Sequence, residues 1–161
     1  MGSHTTGDDD PDRPEPGGAL PGWEVDLDAG DPLEVGDSVR FSKTLTEADV
    51  ERFALASGDT NPIHLDADWA EETRFEGRIV HGTLVAGVVS AALARLPGGV
   101  IYLSQDLEFQ APVRLGDRVT ATVEVVEDVG GGRYRLRTTV AGEENVAIDG
   151  EAVVLIDDLP D

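Results

Sequence analysis

The sequence predicts an α+β domain in which an antiparallel sheet curls around one long buried helix. Two observations carry this. Four segments in the second half alternate apolar and polar residues with period two, the pattern of strands with one covered and one wetter face. Ahead of them, Gly82 to Leu96 is apolar around nearly its whole circumference, as a core helix is. A single layer of strands cannot cover such a helix completely, so pairing with a second subunit is expected.

In chain order, Met1 to Pro32 is rich in Asp, Pro and Gly and is read as a flexible acidic tail, with Trp23, Val25 and Leu27 docking on the domain. The folded domain is expected over 33–161. Ser38 to Lys43 reads as a short strand. Thr46 has an N-cap side chain with acidic Asp49 three residues on, and Val50, Phe53, Ala54 and Leu55 form a helical stripe ending at Gly58. Asp66 to Thr73 suggests a short second helix. Pro97-Gly98-Gly99 ends the apolar helix. The four strands are Ile101 to Gln110, Arg118 to Glu127, Arg133 to Ala141 and Val146 to Ile156. In the first of them Ile101, Leu103, Leu107 and Phe109 form the apolar face, and Gly130-Gly131-Gly132 turns between the second and third.

The charge balance is extreme: 33 acidic against 12 basic residues, a net of −21, with Lys43 the only lysine. Nucleic acid and anionic membrane surfaces are excluded as partners, since both need clustered Lys and Arg. Acid spread along the whole chain fits a protein adapted to a salt-filled cell interior, where carboxylates hold a hydration shell. With no cysteine, disulfides, thiolate metal sites and thiol nucleophiles are excluded. The longest apolar stretch, Leu84 to Ala94, is too short for a membrane span and contains Ser90, and no apolar signal segment opens the chain. A cytoplasmic location is expected.

The chemistry concentrates in Ser57-Gly58-Asp59-Thr60-Asn61-Pro62-Ile63-His64 and in Val80-His81-Gly82. Asp59 and His64 are a carboxylate and an imidazole five residues apart, on a bend that Pro62 stiffens and the Asn61 amide can hold. Such a pair can converge on one water as acid and base. Gly82 opens the apolar helix, where a free N–H and the helix dipole favour negative charge growing on an oxygen. Taken singly, Asp59 and Asn61 also suit a turn that caps its own backbone, His64 a structural histidine, and Gly82 tight packing. His81 is read as structural, capping or bridging backbone groups. Ser90 is the one clear hydroxyl of the apolar helix, with a bond back to the carbonyl four residues earlier as its other reading.

These motifs, with Phe75-Glu76-Gly77-Arg78-Ile79-Val80-His81-Gly82, Tyr102-Leu103-Ser104-Gln105-Asp106-Leu107-Glu108-Phe109 and Pro112-Val113-Arg114-Leu115-Gly116-Asp117, resemble the MaoC-like dehydratases, most closely the single-domain R-specific enoyl-CoA hydratases. The likeness spans Phe41 to Ile156; the acidic tail and surface depart from it. It implies a hot-dog fold, a homodimer, no metal and no organic cofactor, CoA being part of the substrate. It implies reversible hydration of a trans-2-enoyl-CoA to the (R)-3-hydroxyacyl-CoA. By the same likeness Asp59 and His64 are the catalytic pair, Gly82 the oxyanion donor, and Ser90 and Asn61 its supports. Arg114, Arg118 and Lys43 are candidates for the CoA phosphates. Three other readings share the fold: dehydration of a 3-hydroxyacyl group on acyl carrier protein, thioester hydrolysis, and acyl-CoA binding without catalysis. Thioesterases of this fold usually carry a carboxylate on the buried helix, and Gly82 to Ala94 has none.

Overall fold

The structure, a computed structural model, describes residues 13–158. The acidic run Asp8 to Asp12 and the last three residues lie outside the described residues. Six strands form one antiparallel sheet: β1 (Glu24–Asp28), β2 (Ser38–Thr44), β3 (Gly99–Phe109), β4 (Arg118–Gly130), β5 (Arg133–Ala141) and β6 (Val146–Asp157), in spatial order β1-β2-β4-β5-β6-β3. Four helices precede β3: α1 (Glu47–Ser57), α2 (Pro62–Leu65), α3 (Ala67–Glu71) and α4 (Gly82–Leu93).

The curled sheet expected from the alternation is not what forms. The sheet is open: β1 and β3 are its two edges, and neither closes on the other. Helix α4 lies on one face, packed chiefly against β2, β4 and β5, and is not wrapped. Its buried side is Val85, Val88, Val89, Ala92 and Leu93; Thr83, Gly87, Ser90 and Ala94 face outward as a stripe of small residues. A uniformly apolar helix looks alike from every side in sequence, so periodicity could not reveal that one side is left uncovered. The fold is hot-dog-like in its layers, an antiparallel sheet carrying a central helix, without the closure.

The core sits between α4 and the middle of the sheet. Val119, Ala121, Val123 and Val125 of β4, Leu136 and Val140 of β5, and Val39 and Phe41 of β2 are all buried. Each of the valine, leucine and phenylalanine side chains contributes about 1.5–3 kcal/mol through its removal from water. At the β3 edge the pattern fails. A register shift between Tyr102 and Ser104 leaves Leu103 out of the ladder, and Ile101, Leu103 and Phe109 are exposed where a covered face was expected. A bulge exchanges the faces of a strand, and α4 packs chiefly against β2, β4 and β5, meeting this edge mainly where Gly82 touches Phe109.

Strand β1 comes from the stretch read as tail. It pairs with β2 from Glu24↔Ser42 to Asp28↔Ser38, and Trp23 packs edge-on against Phe41 at 5.4 Å. Helix α1 begins in a complete capping box: Asp49 N–H donates to Thr46 Oγ1 and Thr46 N–H to Asp49 Oδ2. A cap of this kind contributes about 1 kcal/mol. Gly58, at φ 83°, ends α1 in the left-handed region and turns the chain towards Asp59. Leu55, expected on the inner stripe, is 85% exposed. The helix expected over Asp66 to Thr73 forms as the shorter α3, capped by Asp66 through Trp69 N–H, and α2 before it was not expected; Asp66, at φ −112°, ψ 103°, separates the two. No helix among the described residues is long and apolar enough to cross a membrane.

Candidate active site

The bend between α1 and α2 is built by local hydrogen bonds. Asp59 Oδ1 accepts from Asn61 N–H at 3.2 Å, and Asn61 Oδ1 accepts from Ile63 N–H at 3.3 Å, capping α2 with Pro62 in its first turn. Pro62 suits that position because its missing N–H would have no acceptor there. One turn later His64 points inward and is 7% exposed. Its Nδ1–H donates to the Ile79 carbonyl at 2.8 Å, since a carbonyl only accepts. In the neutral ring the lone pair therefore sits on Nε2.

His81, at the N-cap of α4, completes the group. Its Nε2–H donates to the backbone carbonyl of Asp59 at 2.9 Å. Its ring lies over that of His64, centroids 3.9 Å apart and planes 29° from parallel. One potential ligand atom from each of Asp59, His64 and His81 falls within 4.8 Å of the others. Burial pushes the His64 pKa down; the Ile79 hydrogen bond opposes this, His81 adds to it, and Asp59 opposes it. His64 is thus held neutral more firmly than an ordinary imidazole. Two of the four imidazole nitrogens are spent on carbonyls, and in-plane lone pairs of stacked rings run side by side. This arrangement suits proton transfer better than metal ligation.

Gly82 follows His81 directly and opens α4, where first-turn N–H groups have no acceptor within the helix. A Cβ at this position would lie 2.8 Å from Phe109 Cε1. Only glycine admits the aromatic ring this close. Gly82 and Phe109 line a cleft of about 340 Å³ together with Arg74, Phe75, Ile79, Val80 and Val85. The cleft is mainly apolar, the character an acyl chain would need. It reaches Ile79 and Gly82, the neighbours of the histidine pair, while Asp59 and His64 are not in its lining.

The sequence profile of the MaoC like domain matches residues 32–147. The chain belongs to the MaoC-like family. This MaoC-like chain is similar to the (R)-specific enoyl-CoA hydratase of Rhodospirillum rubrum, with 48% identity over 129 residues covering 77% of this chain and 88% of that protein. It is similar in structure to the (R)-hydratase of A. caviae involved in PHA biosynthesis, at 44% identity and a TM-score of 0.75, covering 80% of this chain and 100% of that one. An R-hydratase from Pseudomonas aeruginosa, solved in the unliganded form, is 38% identical with a TM-score of 0.75, covering 85% of this chain and 90% of that one.

The other expected site residues of this MaoC-like domain are scattered. Ser90 lies two turns beyond Gly82, about 12 Å along the helix axis, on the outward stripe and outside the cleft lining. Its hydroxyl makes no hydrogen bond to Ala86 among the described residues. Lys43 pairs with Asp49 at 3.2 Å and sits over the Trp23 ring. Arg118 pairs with Glu24 and donates to the Gly22 carbonyl, fastening β1. Arg114 is exposed, with its guanidinium over Gly77, on a segment bridged to Ile79. The cation that lines the cleft is Arg74, which sequence reasoning passed over. Its place beside Phe75, at the head of the Phe75 to Gly82 motif, was the available signal.

Proposed function

We propose that this chain adds water to a trans-2-enoyl-CoA to give the (R)-3-hydroxyacyl-CoA, and runs the reverse dehydration at the same site. The observation that carries the reading is the His64 ring: buried, fixed through Nδ1 to the Ile79 carbonyl so that its lone pair is on Nε2, with a ring nitrogen within 4.8 Å of a carboxylate oxygen of Asp59. The nearly half-identical relative named for this reaction supports the substrate.

The thioester carbonyl, conjugated to the double bond, makes the β-carbon electrophilic. His64 Nε2 takes a proton from water as the water oxygen bonds to that carbon. The proton taken from water passes through the His64-Asp59 pair to the α-carbon, so the pair ends the cycle in the protonation state in which it began. The charge that gathers on the thioester oxygen meets the Gly82 N–H and the positive end of α4. Such a donor lowers the barrier by about 3 kcal/mol. Asn61 supports the pair by holding the bend. Phe75, Val85 and Phe109 give the acyl chain its apolar wall, and Arg74 and Arg114 are the cations nearest the cleft for the phosphates of CoA. Lys43 and Arg118 are committed to carboxylates, and Ser90 stands on the outer face of α4.

The protein works as a homodimer in a salt-rich cytoplasm. Ile101, Tyr102, Leu103 and Phe109 leave an exposed apolar surface on edge strand β3, and α4 presents its stripe of small residues. Both features support cover by a second copy. The direct assay is loss of enoyl absorbance with short- and medium-chain enoyl-CoAs in multimolar KCl, with chiral analysis of the product and acyl carrier protein thioesters in parallel. The reading predicts (R)-3-hydroxyacyl-CoA and faster turnover of the CoA esters. Hydrolysis of the thioester without hydration would overturn it.

A further inference from the structure

We infer that His81 is a positioning residue that sets Asp59, His64 and Gly82 in one frame; this rests on the hydratase reading above. Three contacts from one residue carry the inference. The ring Nε2–H holds the Asp59 carbonyl at 2.9 Å. The ring face lies against the His64 ring at 3.9 Å. The backbone caps α4, its carbonyl accepting from Leu84 and Val85 N–H at 3.0 and 3.1 Å, so the next residue presents the Gly82 N–H. Phe53 of α1 closes over the ring at 4.8 Å, leaving His81 1% exposed.

A purely structural role would not select an imidazole here. His81 Nδ1 is buried with no hydrogen-bond partner among the described residues, a cost that a phenyl ring would avoid while keeping both aromatic contacts. What phenyl would lose is the one hydrogen bond to the residue that carries the carboxylate. That bond also fixes the tautomer. Small displacements of a reacting group are costly in rate, so a bond that fixes the Asp59 carbonyl acts on turnover.

Two variants separate the donor from the ring. His81→Phe keeps the stack and removes the donor. His81→Gln loses the ring but retains an N–H at a similar reach. With crotonyl-CoA, His81→Phe is expected to lower kcat at least tenfold with KM within about threefold of the parent, and His81→Gln to recover most of that loss. A folded His81→Phe chain with parental kcat, or equal losses in the two variants, overturns the inference. Should His81→Phe not fold, ring nitrogen shifts of the unaltered protein decide: a proton on His81 Nε2 supports the inference, and an Nδ1–H tautomer with Nε2 bare refutes it. Asp59→Asn run alongside keeps the two readings apart. If the parent protein hydrates nothing the hydratase reading fails, and the nitrogen shifts still test the His81 bond.

Discussion

The His64 Nδ1–H donates to the Ile79 carbonyl at 2.8 Å across a separation of 15 residues, and this bond gives the Asp59-His64 pair its direction. It joins the bend after α1 to the segment leading into α4, and in the neutral ring it leaves the lone pair on Nε2.

A pH dependence follows. Burial holds the His64 pKa below the ordinary imidazole value of about 6.5. The groups around it are Asp59, the His81 ring and the Ile79 carbonyl, with Arg78 on its own carbonyl. Hydration needs the neutral ring, so kcat/KM should stay level as pH falls to that value and decline only below it. The stability effect has the same sign. The unfolded chain binds the proton at higher pH than the folded one, so His64's contribution is complete above the unfolded pKa and is lost as pH falls through the folded pKa. Rate profiles and thermal midpoints between pH 4 and pH 8, about the range an imidazole spans, check both. An acid limb centred above the ordinary imidazole value would contradict the assignment of His64 as base.

Gly82→Ala should be costly for a reason separate from helix propensity. The new methyl would stand 2.8 Å from the Phe109 ring, which is 58% exposed and can swing away. The fold should survive with a thermal midpoint within a few degrees of the parent. The cleft wall would move, and kcat/KM should fall at least tenfold. Unchanged kinetics with an unmoved Phe109 would show that this close approach has no part in the site.

The net charge of −21 makes a prediction about salt. At about 1 M salt the screening length is about 3 Å, so repulsion among surface carboxylates largely disappears. The few ion pairs on this surface, such as Arg135-Glu127 and Arg137-Asp149, are exposed and stand to lose little. Unfolding midpoints should therefore rise steeply from low to multimolar KCl. Equal midpoints would remove adaptation to salt as the reason for the acidity.

What could be read from sequence was what is local. Thr46 and Asp49 are three residues apart, so the capping box was legible. Asp59, Asn61, Pro62 and His64 lie on one bend, so their meeting was legible too. Strand β1 was hidden because Glu24–Asp28 is short, exposed and set among Pro, Gly and Asp; it forms only because β2 offers an edge and Arg118 reaches Glu24 from β4. The openness of the sheet and the bulge at Leu103 depend on strand order, which alternation does not encode. Lys43 and Arg118 looked available because their partners Asp49 and Glu24 are brought to them by tertiary structure. The stacking of His64 on His81 joins residues 17 apart in the sequence and had no local signature.

The most direct measurement is crotonyl-CoA hydration by the parent chain, Asp59→Asn and His64→Gln, each shown to be folded and each assayed in high salt. Asp59→Asn keeps the side-chain shape and an oxygen for the Asn61 N–H; His64→Gln keeps an N–H for the Ile79 carbonyl but loses the ring stacked on His81; both remove the proton-transfer group. The account predicts that each lowers kcat by about a hundredfold or more while the fold is retained. Near-parental turnover by either folded variant would contradict it.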